Sequence, residues 1–201
     1  MTGLGIQPDI LLCRCDRPLE KKFKAKIAHF CNVEENCVIA AQDVETIYEV
    51  PIKFHEEGFD QRVVEKLNIW TGEPNLGKWR RLVKTAQNPK VTINIAVVGK
   101  YVNLVDSYKS LHEAIAHGAI ANEARVQIDY VDAEELEKGD PAKRLGNAHA
   151  IIVPGGFGER GIEGKIRAVR FARENPVPIL GICLGLQVMV IEHARNLRSE
   201  Q

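Results

Sequence analysis

The sequence predicts an α/β protein built on parallel sheets, and three observations carry that prediction. Short apolar runs near the start, Ile10-Leu11-Leu12-Cys13 and Cys37-Val38-Ile39-Ala40-Ala41, read as strands buried on both faces, and four more follow residue 90. Helical stretches separate them, so successive strands should pair in parallel through right-handed crossovers. A polar segment with a proline, Thr85-Ala86-Gln87-Asn88-Pro89-Lys90, interrupts the pattern and divides the chain into residues 1–88 and 89–201.

In the first part, Pro18 suits the opening turn of a helix over Leu19 to Phe30, which links the two apolar runs. Helical pieces follow at Val44 to Glu49, broken by Pro51, and at Asp60 to Leu67 and Leu76 to Ala86. Trp70 and Trp79 are expected to pack these pieces together. In the second part, strands at about Thr92 to Val98, Val126 to Val131, Ala150 to Val153 and Pro178 to Ile182 alternate with helices. Those helices are expected at about Ser107 to Ala121, Ala133 to Leu145, Ile162 to Glu174 and Leu184 to Leu197, the first capped by Asp106 or Ser107. Four strand–helix units in succession describe a doubly wound sheet of flavodoxin-like type. A sheet of that type usually has five or more strands, so one edge is expected to stay unpaired.

The last unit carries the chemistry. Gly181-Ile182-Cys183-Leu184-Gly185 joins strand to helix without a loop, and so sharp a corner needs small residues two before and two after it. The corner would display the Cys183 sulfur at the carboxyl end of the sheet, facing the unpaired N–H groups of the helix that starts at Leu184. A second glycine-rich strand end, Val153-Pro154-Gly155-Gly156-Phe157-Gly158, can bring another backbone N–H beside the sulfur. With the Leu184 N–H it would form an oxyanion hole for acyl transfer. The competing reading is a buried structural thiol, the ordinary fate of free cysteine in an apolar segment.

Composition narrows the rest. Twenty-seven basic and 27 acidic residues cancel, so no electrostatic footprint points to nucleic acid or a membrane surface. No apolar run approaches the roughly 20 residues that cross a bilayer, and the first residues lack a signal-peptide pattern. The five cysteines contain no C-x-x-C pair. Cys13, Cys15, Cys31 and Cys37 lack the spacing of a zinc knuckle, so free thiols in the cytoplasm and no metal site are expected.

Val153 to Gly158 and Gly181 to Gln187 together resemble the class I, triad-type glutamine amidotransferases. Tyr48, Gly99-Lys100-Tyr101, Tyr108-Lys109-Ser110 and Gly156 to Gly161 narrow the resemblance to the CTP synthase family, over about Gly5 to Asn196. The resemblance implies the end of a P-loop-like synthetase domain at 1–88, followed by the start of a glutaminase domain at 89–201. Cys183 would then be the nucleophile, with Gly156, Leu184, Gly185, Leu186 and Gln187 forming the oxyanion and glutamine pocket. Arg14, Gln42, Asp43 and Val44 would contact ATP, and Lys26 the UTP or CTP triphosphate. Gln42 stands where some relatives carry a basic residue, so a backbone contact is expected there. Lys109, Phe157 and Arg160 would serve GTP activation or interdomain contact. Mg would accompany ATP on ligands outside this sequence, and the intact enzyme would be a homo-oligomer, a tetramer.

A cysteine amidotransferase needs a base within about 3 Å of its sulfur. His193 lies ten residues beyond Cys183 on the same helix, roughly 15 Å away. His149 falls at the opposite edge of the sheet, His112 and His117 lie within the first helix of this part, and His29 and His55 belong to the other part. In the resembling family the base comes as H-P-E well after the nucleophile, and a G-x-x-x-x-G-K phosphate loop is also missing. The sequence therefore reads as a fragment with two half-sites. Other readings are a different flavodoxin-like cysteine hydrolase, or a non-catalytic nucleotide-binding or filament-forming module.

Overall fold

The computed structural model describes residues 2–100 and 105–197, and the chain divides into two compact units, Met1–Asn88 and Pro89–Gln201. In the first unit, β1 (Leu11–Cys15) leads to α1 (Lys21–Cys31) and β2 (Val38–Gln42), and the two strands pair in parallel from Leu11 against Val38 to Cys15 against Gln42. Three helices follow: α2 (Val50–Glu56), α3 (Phe59–Lys66) and α4 (Gly77–Gln87). Asn32 stops α1 in the left-handed conformation, its N–H returning to the last turn.

Several local expectations are corrected here. β1 alternates between half-buried and exposed positions, with Leu12 47% exposed, because only one neighbour pairs with it and one face stays open. Helix α1 starts at Lys21 after an extended Glu20, three residues past Pro18, so the proline lies outside the first turn. Pro51 does not break a helix: it occupies the first turn of α2, where its missing N–H costs nothing. Trp79 anchors its helix by donating Nε1–H to the Tyr48 carbonyl, whereas Trp70 is 97% exposed.

Just past the end of α2, Glu57 accepts from Lys24 Nζ of α1 at 2.6 Å and from the Ala40 N–H of β2 at 2.9 Å. Burial alone would raise this carboxyl, but the two hydrogen bonds win and hold it below the usual glutamate range.

In the second unit, β3 (Val91–Gly99), α5 (Lys109–Ala121), β4 (Ala124–Asp132), α6 (Ala133–Lys138), α7 (Pro141–Leu145), β5 (Ala150–Val153), α8 (Ile162–Glu174), β6 (Ile179–Gly181) and α9 (Leu184–Leu197) follow in order. All pairings are parallel and the strand order is β4-β3-β5-β6. That is second, first, third, fourth in chain order, the flavodoxin-like winding. The core gathers Ala96, Val98, Val131, Ile151 and Val153 from the strands with Leu136, Leu145, Ile166, Val169 and Val188 from the helices. β6 forms an edge, with Leu180 and Ile182 exposed.

The helix expected over Ala133 to Leu145 is two. Gly139 is extended, the Asp140 carboxylate accepts from the Ala142 N–H at 3.0 Å, and Pro141 opens the new turn. The cap expected at Asp106 or Ser107 is replaced by a 3-10 turn, Val105–Tyr108, that runs into α5 without a side-chain cap.

α8 seats on α6 at Gly164, where an added Cβ would lie 1.7 Å from the Ala133 carbonyl oxygen. Gly164→Ala should therefore cost about 2 kcal/mol or more in chemical denaturation. Gly118→Ala, on α5 with nothing within 4 Å of the new atom, should add about 0.5–1 kcal/mol. Equal effects from the two substitutions would contradict the packing.

A depressed carboxylate stabilises above its unfolded pKa, and that contribution is lost as pH falls through the folded value. Glu57→Gln should flatten the acid limb of the stability profile of the first unit, measured by thermal melts from neutral pH downward. An unchanged acid slope would show that the Lys24 and Ala40 bonds contribute nothing.

Candidate active site

β6 ends at Gly181 and α9 begins at Leu184, so the chain reverses within two residues. Cys183 takes the strain: its φ is +53°, a region that costs about 1–2 kcal/mol for a residue with a side chain. Neighbouring glycines make the corner possible. A Cβ at Gly185 would lie 2.0 Å from the Val153 carbonyl oxygen, and one at Gly181 would lie 2.5 Å from the Gly185 carbonyl carbon. Ile182 N–H donates to the Val153 carbonyl at 2.9 Å, tying the corner to β5. The Cys183 side chain is exposed, so the buried-thiol alternative is excluded.

The glycine loop after β5 closes on this corner. A Cβ at Gly155 would sit 3.4 Å from Cys183 Cβ, and one at Gly156 would sit 3.7 Å from Leu184 Cδ2. As the first residue of α9, Leu184 has no intrahelical acceptor for its N–H. The Gly156 N–H likewise donates to no group among the described residues. Exposed thiol, free helix N–H and glycine loop thus stand together at the carboxyl edge of a parallel sheet, where such folds place ligands. Gly185 is buried beneath the corner, while Leu186 and Gln187 are exposed on the first turn of α9.

Around the loop, Lys100 Nζ donates to the Phe157 carbonyl at 3.2 Å. The Phe157 ring is 87% exposed, and Arg160 pairs with Glu134 at the start of α6. Tyr108 is buried, stacks on Tyr130, and its hydroxyl accepts from the Lys100 N–H at 3.2 Å. Lys109 is exposed at the start of α5, and Tyr101 lies outside the described residues. Sequence reasoning passed over Lys165, which is buried on α8 with its Nζ 3.6 Å from the Gly156 Cβ position. The signal was present: Lys165 falls on the stripe of Ile162, Ile166 and Val169, where a solvated lysine does not belong.

No histidine among the described residues stands at the corner. His149 Nδ1 accepts from the Asn94 N–H at 3.0 Å at the amino edge of the sheet, His112 faces the Tyr130 hydroxyl, and His193 lies exposed along α9.

In the first unit the carboxyl ends of β1 and β2 bring together Arg14 and Asp43, whose side chains pair at 2.9 Å in the open. Gln42, Asp43 and Val44 line a cavity of about 360 Å³ with Glu49, Lys53 and Gln87. Lys26 is exposed on α1 and makes no contact with Arg14 or Asp43. No group of three or more acidic, histidine or cysteine side chains that could hold a metal is found among the described residues, and no helix there is long and apolar enough to cross a membrane.

A cysteine at a strained strand-to-helix corner, faced by a glycine loop on a flavodoxin-like sheet, defines the second unit as one of the class I glutamine amidotransferase type. The family model for glutamine amidotransferase class-I matches residues 103–201, and that for the CTP synthase N-terminus matches residues 1–69. The chain belongs to the CTP synthase family. It is similar to the CTP synthases of Desulfotalea psychrophila (55% identical, 96% of this chain, 35% of the relative) and Acidiphilium cryptum (57%, 98% and 36%). It spans little more than a third of the length of such relatives, 37% for the CTP synthase of Syntrophus aciditrophicus. A Trypanosoma brucei CTPS glutaminase domain with bound acivicin aligns with 52% of this chain and 41% of its own, at 45% identity and a TM-score of 0.49.

Cys183 should react first with iodoacetamide near neutral pH, read by peptide mass spectrometry. Burial pushes the Cys13 and Cys15 thiols up, with neighbouring thiol or carboxyl charges acting in the same direction, so both should lag and gain as pH rises. Equal labelling of all five cysteines at neutral pH would contradict the displayed corner.

Proposed function

We propose that this chain carries the nucleophile and oxyanion half of a glutamine-hydrolysing site, together with part of the nucleotide site of an enzyme that aminates UTP to CTP at the expense of ATP. The observation that carries this reading is Cys183, exposed at φ +53° with the Gly155 backbone against it. The sulfur attacks the side-chain amide carbon of glutamine, and the carbonyl electron pair moves onto oxygen, where the Gly156 and Leu184 N–H groups receive it. Collapse of that intermediate, with the proton given up by the thiol delivered to the nitrogen, expels ammonia and leaves a thioester, which water hydrolyses to glutamate. Leu186 and Gln187 line the entry, and Gly185 keeps the corner tight.

The ammonia is consumed where ATP has phosphorylated the uracil oxygen of UTP. Arg14 offers a guanidinium, paired with Asp43 in the open, to a phosphate or ribose at the strand ends, with the Gln42 to Val44 backbone beside it. Lys26 would reach the triphosphate, and magnesium bound with ATP would screen its charge. Asp43 is committed to Arg14, so the described residues supply no set of magnesium ligands. Lys109, Phe157 and Arg160 form the candidate GTP or interdomain surface, and the assembled enzyme is read as a cytoplasmic homo-oligomer.

The histidine and carboxylate that complete a triad are assigned to residues outside those described. The chain should accordingly capture a glutamine-like chloroketone at Cys183 while releasing almost no glutamate from glutamine. Rapid glutamate release abolished by Cys183→Ala would reveal a base in this chain and overturn that assignment. Failure of the chloroketone to modify Cys183 selectively would overturn the glutaminase reading itself.

Arg14→Ala should weaken ATP binding about tenfold by titration calorimetry, with Cys183 alkylation unchanged. ATP affinity unaffected by that substitution would remove Arg14 from the nucleotide site.

A further inference from the structure

Two charged side chains are almost fully buried among the described residues, Glu192 and Lys165, each 1% exposed. Their situations differ. Glu192 accepts from Arg173 Nη2 at 2.9 Å and Nε at 3.2 Å, and from Asn196 Nδ2 at 3.1 Å. Beyond its backbone N–H, which donates to the Gly161 carbonyl at 3.1 Å, Lys165 has no side-chain hydrogen bond or ion pair with any described residue. An ammonium taken out of water without a counter-charge is strongly disfavoured, so a retained one points to an anion that arrives with the ligand or arises in the reaction.

The direction of the side chain says where. Lys165 Nζ lies 3.6 Å from the Cβ position of Gly156, and Leu184 Cδ2 lies 3.7 Å from the same point. The amine therefore ends against the glycine whose N–H, with that of Leu184, is read above as the oxyanion hole. Its seat is rigid, because Gly164 lets α8 approach α6 to backbone contact one residue earlier.

We propose that Lys165 is the electrostatic backing of the oxyanion site, its ammonium stabilising, from behind Gly156, the negative charge that develops on the acyl oxygen. It does so without touching the reacting atoms. The proposal rests on the glutaminase reading and deepens it by naming a group that assists the carbonyl. The charged neighbours do not supply a competing counter-ion. β3 ends in Lys100, the corner carries Cys183, α6 carries Glu134, paired with Arg160, and Glu137, and α9 carries Glu192, paired with Arg173. Burial pulls the Lys165 amine below the ordinary lysine range, and Lys100 acts in the same direction. Its charge is thus lost earlier on the alkaline side than that of a surface lysine.

The test compares two reactions of Cys183 in the same chain. With the γ-(4-nitrophenyl) ester of glutamate, the thiolate attacks the γ-carbonyl carbon and the π pair moves to oxygen. The carbonyl then re-forms as the bond to nitrophenolate breaks, leaving a thioester and one nitrophenolate. With iodoacetamide, the thiolate displaces iodide and no oxyanion forms. Both rates depend on the thiolate, so their ratio cancels its titration and isolates the carbonyl oxygen. Cys183→Ala supplies the background.

Lys165→Met should lower acylation about tenfold and leave alkylation within about twofold, a scale below that of losing a direct oxyanion donor. In the unsubstituted chain the ratio should fall as pH rises and Lys165 loses its proton. In Lys165→Met the ratio should be low and flat, and Lys165→Gln should agree. Acylation and alkylation falling together, an unchanged ratio, or a pH dependence that survives both substitutions would each overturn the proposal alone. No acylation of Cys183 in the unsubstituted chain would overturn the glutaminase reading and the proposal with it.

Discussion

The contact on which the second unit depends is one between two stretches of backbone. At Gly185 the first turn of α9 lies so close to the Val153 carbonyl that an added carbon would stand 2.0 Å from it. That approach lets a helix start immediately after β6, and the abrupt start is what holds Cys183 at φ +53°. Strain of this kind persists only where the surroundings over-determine it. Here the Ile182 N–H bond to Val153, the glycine at 181 and the helix beyond leave Cys183 no other conformation.

The same economy of atoms shapes the loop after β5. Gly155 and Gly156 present backbone where side chains would otherwise fill the space, so the site is defined by N–H groups, a sulfur and the exposed start of a helix. A site of this kind is cheap to specify in sequence, because it asks only for glycines at fixed distances from strand ends. Its weakness is that proton transfer has to come from elsewhere, and His149 and His193 are both on the wrong side of the sheet or too far along α9.

What the sequence revealed followed from strong local constraints. β5, α8 and α9 were legible residue for residue, since apolar runs and glycine brackets leave one periodicity open to them. The corner at Cys183 was legible for the same reason. Misreadings arose where a side chain acted on its own backbone or where partners were missing. Asp140 capped a new helix inside what looked like one, β1 had only one neighbour among the described residues and kept an open face, and Trp70 stayed exposed. Lys165 was missed because a lysine is read by habit as solvated, although its place on an apolar stripe argued otherwise. In the first unit the strand ends fixed the meeting of Arg14 with Asp43, while nothing local determined the surroundings of Lys26.

Gly164 and Lys165 are adjacent, and they divide one task between them. The hydrogen at 164 sets how deeply α8 sinks against Ala133, and that depth fixes how far the next side chain reaches. A larger residue at 164 would lift the helix and withdraw the amine from the loop, even with the lysine itself intact. The two positions should therefore tolerate change only as a couple, the first acting as the spacer of a lever whose tip is the second.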